Sequence, residues 1–190
     1  MIIRVATEND FPVVAILVAT IFSEDLRAIT GRIVHPSLLL PYIKIYKPYI
    51  FIAEEENVVL GVIIISERKL LFPFPQILFY LKNFGIITSI KSYLRLIKFR
   101  KKMPKKLENE YFIEAIAVDE SARDKGIGKE LVASAEKILK EKNAKYFGLV
   151  VRAEKPAIEF YKALGFVKVK DCITKAFGKW YYMRKALTQA

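Results

Sequence analysis

Apolar and polar residues alternate through the opening stretch "IIRVATEND", which predicts a first strand and a turn. Asp10 then stands where a helix cap belongs and Pro12 at the first helical position. From Phe11 to Leu26 apolar residues recur on a helical period, and Gly31 closes that element. "RIVHPSLLLPYIKIYKP" holds three prolines and predicts a short helix with connections. "YIFIAEEE" and "VVLGVIIIS" are two β-rich runs joined around Glu55–Asn57, the pattern of a hairpin. A further strand is predicted over Tyr111–Val118. From Gly126 to Lys142 the stripe Ile127, Leu131, Ala135, Ile138, Leu139 and Lys142 marks one helix face. Its other face carries Glu136–Lys140 and Lys137–Glu141 pairs four residues apart, and Asn143 ends it. "KYFGLVV" is a buried-type strand. "PAIEFYKALG" is a short helix with Pro156 first, Gly165 just past its end, and Ala157, Phe160 and Leu164 facing inward. "FVKVKDCITKAF" and "KWYYMRKAL", joined at Gly178, form a terminal hairpin. No internal repeat occurs. The order predicts a mixed sheet with helices packed on its faces.

The 190 residues fit a single domain, 1–190, with a full-sized core. No apolar run reaches the roughly 20 residues of a membrane span, and the N-terminus lacks a signal-peptide layout, so a cytoplasmic location is expected. Cys172 is the only cysteine and reads as a small core residue, which excludes an internal disulfide and a multi-cysteine metal site. His35 is the only histidine and leaves at most one imidazole base. A net charge of +12 suggests a nucleic-acid partner until its distribution is considered. Residues 67–106 hold eleven basic side chains against Glu67 alone, so the rest of the chain is close to neutral.

The chemistry concentrates in "RDKGIGKELV", Arg123 to Val132, between the strand that ends at Val118 and the helix that begins near Gly126. The first turn of a helix leaves backbone N–H groups unpaired at the positive end of its dipole. Gly126 and Gly128 have no side chain to keep a ligand away, and Arg123, Lys125 and Lys129 add charge, an arrangement suited to a phosphate or pyrophosphate. A tight strand-to-helix turn would use the same glycines. A Walker loop is excluded, because Glu130 follows Gly128-Lys129 and Arg123 stands where the first glycine belongs. Leu131 likewise excludes the dinucleotide fingerprint. What remains is Arg-x-x-Gly-x-Gly behind a strand ending Ala-Val-Asp. In "IEAIAVDESARDKGIGKELVASAEKIL" the chain resembles the GCN5-related N-acetyltransferase (GNAT) superfamily. A second resemblance follows in "RAEKPAIEFYKALGFVKV", similar to the family's Asn-x-Pro-Ala-x-x-Leu-Tyr-x-x-x-Gly-Phe.

That resemblance implies an α+β fold of α/β/α layering, a mixed and mostly antiparallel sheet flanked by helices, with a helical insert between strands 3 and 4. It implies transfer of an acetyl group from acetyl-CoA to a primary amine of an unidentified acceptor, small molecule or peptide or protein N-terminus, without a metal. In the family the pantetheine arm pairs with the strand before the loop, here Ile116, Ala117 and Val118, where a bulge splays that strand from its neighbour. The diphosphate belongs to the loop: Arg123, Asp124, Lys125, Gly126, Ile127, Gly128 and Lys129. Tyr161 takes the position of the tyrosine that protonates the CoA sulfur. The resemblance also implicates Glu114 as base, on the face of Ile116 and Val118, with a water chain or His35 as alternatives. Glu154 stands in place of the motif's asparagine, on the CoA side. Val150 occupies the position of a glutamate in the ribosomal-protein N-terminal type. A non-catalytic acyl-CoA-binding module with the same fold is the competing reading.

The basic insert, about 67–106, has Ile86, Ile90, Tyr93, Leu94 and Ile97 on one helical face and Lys91, Arg95, Lys98 and Lys102 on the other. Phe72, Phe74, Phe79, Tyr80 and Phe84 add aromatic bulk upstream. The expectation is a helical hairpin with its apolar side on the domain and its basic side in solvent. A lid over the acceptor site, a homodimer contact and an interfacial helix on anionic lipid or nucleic acid are the other readings.

Overall fold

The computed structural model describes residues 1–47, 49–67, 81–154 and 156–187. Its elements are β1 (Ile2–Val5), α1 (Phe11–Ile21), α2 (Ser23–Thr30), α3 (Leu40–Ile45), β2 (Ile50–Glu55), β3 (Val58–Ser66), α4 (Ile86–Lys102), β4 (Glu110–Val118), α5 (Ile127–Glu141), β5 (Tyr146–Arg152), α6 (Ala157–Ala163), β6 (Val167–Thr174) and β7 (Gly178–Ala186). The strands form one sheet in the order β1-β2-β3-β4-β5-β7-β6. Among the described strands only the β4–β5 pair is parallel. The expected mixed, mostly antiparallel sheet is therefore present, with α4 inserted between β3 and β4.

Each sheet face has its own core. α5 lays Ile127, Leu131, Ala135 and Leu139 on one face, against Phe51, Ile63, Ile113 and Phe147. Gly61 permits that contact, because a Cβ there would meet the Ala117 carbonyl at 3.1 Å and the Ile127 and Leu131 side chains at 3.2 Å. The other face packs Val14, Leu17 and Val18 of α1 and Ile43 of α3 on Ile50, Ile52, Val62 and Ile64. The β2–β3 hairpin turns at Glu56 and Asn57, both at positive φ, the geometry that two-residue hairpin loops require.

The single helix expected over Phe11–Leu26 is two. The chain turns at Phe22, and the polar α2 leaves the apolar α1 to carry Asp25 to Arg152 on β5. Asp10 does not cap α1. Its carboxylate accepts from the Arg4 guanidinium at 2.8 and 3.0 Å and from the Thr7 N–H and hydroxyl, each at 2.7 Å. Arg4 also binds Glu54. These contacts hold the Asp10 carboxyl below the usual carboxylate range, the Arg4 bond foremost. On α5, Glu136 turns to Lys185 of β7, at 2.7 Å, rather than to Lys140.

β4 and β5 pair over three rungs, Glu110–Tyr146 to Phe112–Gly148, and then part. A buried clamp fixes the joined end. The Glu110 carboxylate, with no exposed surface, accepts from the Tyr182 hydroxyl at 2.6 Å, Arg184 Nε at 2.7 Å and the Leu107 N–H at 2.9 Å. Burial alone would raise its pKa, but Arg184, Tyr182 and Leu107 together outweigh that and hold it below the ordinary value. Gly148 of β5 lies under this clamp, since a Cβ there would stand 2.5 Å from the Tyr182 hydroxyl.

α4 corrects the reading of the insert. The periodicity is helical, but Ser92, Leu96 and Phe99 face the domain. Ile86, Ile87, Ile90, Tyr93 and Leu94 are exposed. Arg95, assigned to the solvated side, donates inward to the Ala28 and Ile29 carbonyls, and the Ser92 hydroxyl donates to Ile29. The free carbonyls at the end of α2 draw the polar side chains in, so the apolar stripe turns out. Phe72, Phe74, Phe79 and Tyr80 lie outside the described residues; Phe84 is buried. No described helix is long and apolar enough to cross a membrane.

Candidate active site

In β4 the register against β3 slips between the Ile64–Ala115 and Ile65–Ile113 pairs, leaving Glu114 as the extra residue of a bulge. The slip changes which residues share a face. Tyr111 and Ile113 before it and Ile116 and Val118 after it all meet the α5 core, while Ala115 and Ala117 join the opposite core. A bulge was expected in this strand, and it coincides with the parting from β5. Beyond Phe112, β4 keeps β3 on one edge, and on the other no described strand pairs with it. Along Ile116–Val118 the backbone groups that do not bond β3 therefore face an edge where no described strand pairs, open to an extended ligand.

The parting opens a cleft of about 820 Å³. Of the residues singled out from the sequence, Ile116, Ala117 and Val118 line it from β4, and Arg123, Asp124, Gly126, Ile127, Gly128 and Lys129 from the loop and the start of α5. Tyr161 lines it from α6. Lys125 and Glu154 are exposed beside it and do not line it. Glu114 does not line it either; its carboxylate accepts from the Ser66 hydroxyl at 2.5 Å. His35 does not line the cleft; its ring accepts from the Ser37 N–H and starts a short 3-10 turn.

The loop is shaped by its own side chains. The Asp119 carboxylate accepts from the Ser121 N–H at 3.0 Å and hydroxyl at 2.5 Å, and Asp124 and Gly126 both take positive φ. That path delivers the chain to α5 with the N–H groups of its first turn facing outward. Gly128 matters for space: a Cβ there would meet the Phe160 ring at 3.3 Å, so α6 lies directly against the first turn of α5. Open N–H groups, two glycines and the Arg123 and Lys129 cations fit a diphosphate, and the unpaired edge of β4 fits an amide-bearing arm.

The Tyr161 ring sits between Phe160 and Phe166, with centroids 5.2 and 5.8 Å away. It is the buried residue of α6 and lines the cleft. Burial pushes the phenol well above its ordinary pKa and keeps it protonated.

Ile21, Phe22 and Asp25 from the α1–α2 corner also line the cleft, as do Arg152 and Trp180. Arg152 Nε donates to Asp25 at 2.5 Å, and its guanidinium lies 5.3 Å from the Trp180 ring centroid. Nothing local in the sequence marks these two groups, which lie more than a hundred positions apart and meet only through the fold. Among the described residues no three His, Cys, Asp or Glu side chains cluster as metal ligands would.

No curated protein sequence matches the chain. Among solved structures, Ard1 from Thermoplasma volcanium is 19% identical with a TM-score of 0.65, covering 98% of this chain and 97% of its own. The ribosomal-protein-alanine N-acetyltransferase from Brucella melitensis is 18% identical with a TM-score of 0.64, covering 98% and 100%. The yncA protein from Salmonella typhimurium, solved with its cofactor acetyl-CoA, is 13% identical with a TM-score of 0.64, covering 100% and 95%. At such identities the likeness is one of fold. The model of the acetyltransferase (GNAT) family matches residues 18–166, which takes in the strand bulge, the glycine loop and the Tyr161 helix together. The chain belongs to the acetyltransferase (GNAT) family, whose members take their acetyl group from acetyl-CoA.

Proposed function

We propose that this chain acetylates a primary amine and that the β4–β5 cleft is its active site. One observation carries the reading: the parted strands, the open first turn of α5 and the buried Tyr161 phenol border a single cleft. The first-turn N–H groups at Ile127–Lys129, with Arg123, hold the diphosphate, and Ile116–Val118 hold the pantetheine amides. Bound there, acetyl-CoA supplies a thioester whose carbonyl carbon is open to an amine. Tyr161, kept protonated by burial, donates its hydroxyl proton to the departing sulfur.

The acceptor enters at the end lined by Phe22, Asp25, Arg152 and Trp180. Trp180 and Phe22 offer apolar contact, and the Asp25 carboxylate is held by Arg152. The amine must lose a proton before attack. Glu114 sits on the bulge and bonds Ser66 outside the cleft lining, so as base it acts through water. The test is consumption of acetyl-CoA against a panel of small amines and peptides, with Tyr161→Phe as control. Turnover on at least one amine that falls in the control supports the proposal. Tight CoA binding with no turnover on any amine would leave the acyl-CoA-binding module as the better description.

A further inference from the structure

α4 packs with its polar and aromatic side inward and leaves an apolar stripe with no partner among the described residues. Ile86, Ile87, Ile90, Tyr93 and Leu94 are 67, 71, 52, 45 and 49% exposed, on adjacent turns of one face. Lys91, Lys98 and Lys102 run along one flank of this stripe, Lys101 lies on it and Arg100 on the other flank, all exposed. No Asp or Glu occurs between Arg68 and Leu107. At the end of the helix Lys98, Lys101 and Lys102 face Ile173, Thr174 and Lys175 across a hollow of about 430 Å³. Ile173 is 55% exposed, so apolar surface continues beside the lysines onto β6.

We propose that α4 docks along an anionic lipid surface, its isoleucine stripe in the headgroup boundary and its lysines on the phosphates. An apolar stripe flanked by cations, on a helix too short and too charged to cross a bilayer, is the chemistry of an interfacial helix. The charge distribution argues against the two other occupants. A second copy would bring the same acid-free, six-cation helix against this one, so the contact would be self-repelling. A nucleic acid would satisfy the lysines but leave five large apolar side chains without a partner. The inner face of α4 is fixed to the end of α2 through Ser92 and Arg95, so the docked surface moves with the domain as one body. None of these residues lines the active-site cleft, and the proposal stands whatever the acceptor.

The experiment is cosedimentation of the full chain with phosphatidylcholine vesicles, with and without phosphatidylglycerol. Association is expected with the anionic vesicles and not with the neutral ones, and it should weaken as salt rises. Ile87→Glu with Ile90→Glu should abolish it. Lys98→Gln with Lys102→Gln should weaken it about 30-fold, the loss of two interfacial cations. Both pairs lie on the surface, so thermal midpoint and CoA binding should stay at the parent values. Failure to sediment with anionic vesicles would overturn the proposal, as would association that survives the Ile87→Glu, Ile90→Glu pair. A dimer in light scattering that this pair dissolves would assign the stripe to a second copy. Salt-sensitive retention of an oligonucleotide that ignores the pair would assign the lysines to nucleic acid; either result overturns lipid docking.

Discussion

Replacing Gly148 by alanine should cost about 3–5 kcal/mol, although alanine normally strengthens a strand at a glycine position. Gly148 does not sit at positive φ, so the new methyl brings no backbone strain. The whole effect comes from one contact. A Cβ at this position stands 2.5 Å from the Tyr182 hydroxyl, about 0.9 Å inside ordinary van der Waals contact. The hydroxyl cannot yield that distance and keep its 2.6 Å bond to the buried Glu110 carboxylate. Losing a hydrogen bond to a buried charge costs about 1.5–3 kcal/mol, and the overpacking adds about 1–3 kcal/mol. For a chain of this size the midpoint of thermal unfolding should fall by roughly 6–20 °C. The decisive assay is a double-mutant cycle with Tyr182→Phe, read by chemical denaturation. Without the hydroxyl, the nearest remaining atoms are Glu110 Oε1 and the ring carbon Cζ, both at 3.2 Å, a squeeze of only tenths of an ångström. Gly148→Ala should then cost about 1 kcal/mol, giving a coupling of about 2–4 kcal/mol. Strictly additive costs would refute the argument that the clamp leaves no room for a side chain.

Tyr161→Phe should lower kcat about 100-fold or more and leave KM for acetyl-CoA within about twofold, measured by thiol release. Because burial raises the Tyr161 pKa, the parent rate should hold through about pH 10, where an exposed tyrosine acid would already be losing its proton. Gly128→Ala, pressing on Phe160 and filling the approach to the first turn of α5, should raise KM for acetyl-CoA about tenfold with little change in thermal midpoint. Stability should fall on acidification. Asp10 and Glu110 both titrate below their unfolded values near 4, so their contribution is complete above that pH and is lost as pH drops through the depressed folded values. A pH series of melting curves should show the decline below about pH 4, and Asp10→Asn should make it shallower.

What the sequence disclosed was what neighbouring residues decide together. The glycine loop, the Pro156–Gly165 helix and the turn at Glu56–Asn57 each depend on residues within a few positions, so they are legible in one dimension. The helical period over Ile86–Lys102 was legible too, but a period gives a stripe and not its direction. The direction was decided by the carbonyls of Ala28 and Ile29, more than sixty positions away, which took Ser92 and Arg95. The break at Phe22 has no proline or glycine to announce it and answers to Arg152. Glu110 reads as one more polar residue at a strand start; only the arrival of Tyr182 and Arg184 makes it a buried anion. In the lining of the cleft, Asp25 and Trp180 belong to opposite ends of the chain, and no motif joins them.

The threading of β7 between β5 and β6 has a consequence for how the domain assembles. Strands β1 to β4 form a continuous antiparallel meander, whereas β5 touches that meander through three rungs and completes its other edge only with β7. The domain is therefore two sheets in waiting until Gly178–Ala186 docks. Cooperative closure then depends on pairings of high sequence separation, the kind that slow a folding reaction. Deleting β7 should leave a collapsed, protease-sensitive N-terminal meander with no diphosphate affinity, even though every residue of the glycine loop would still be in the chain.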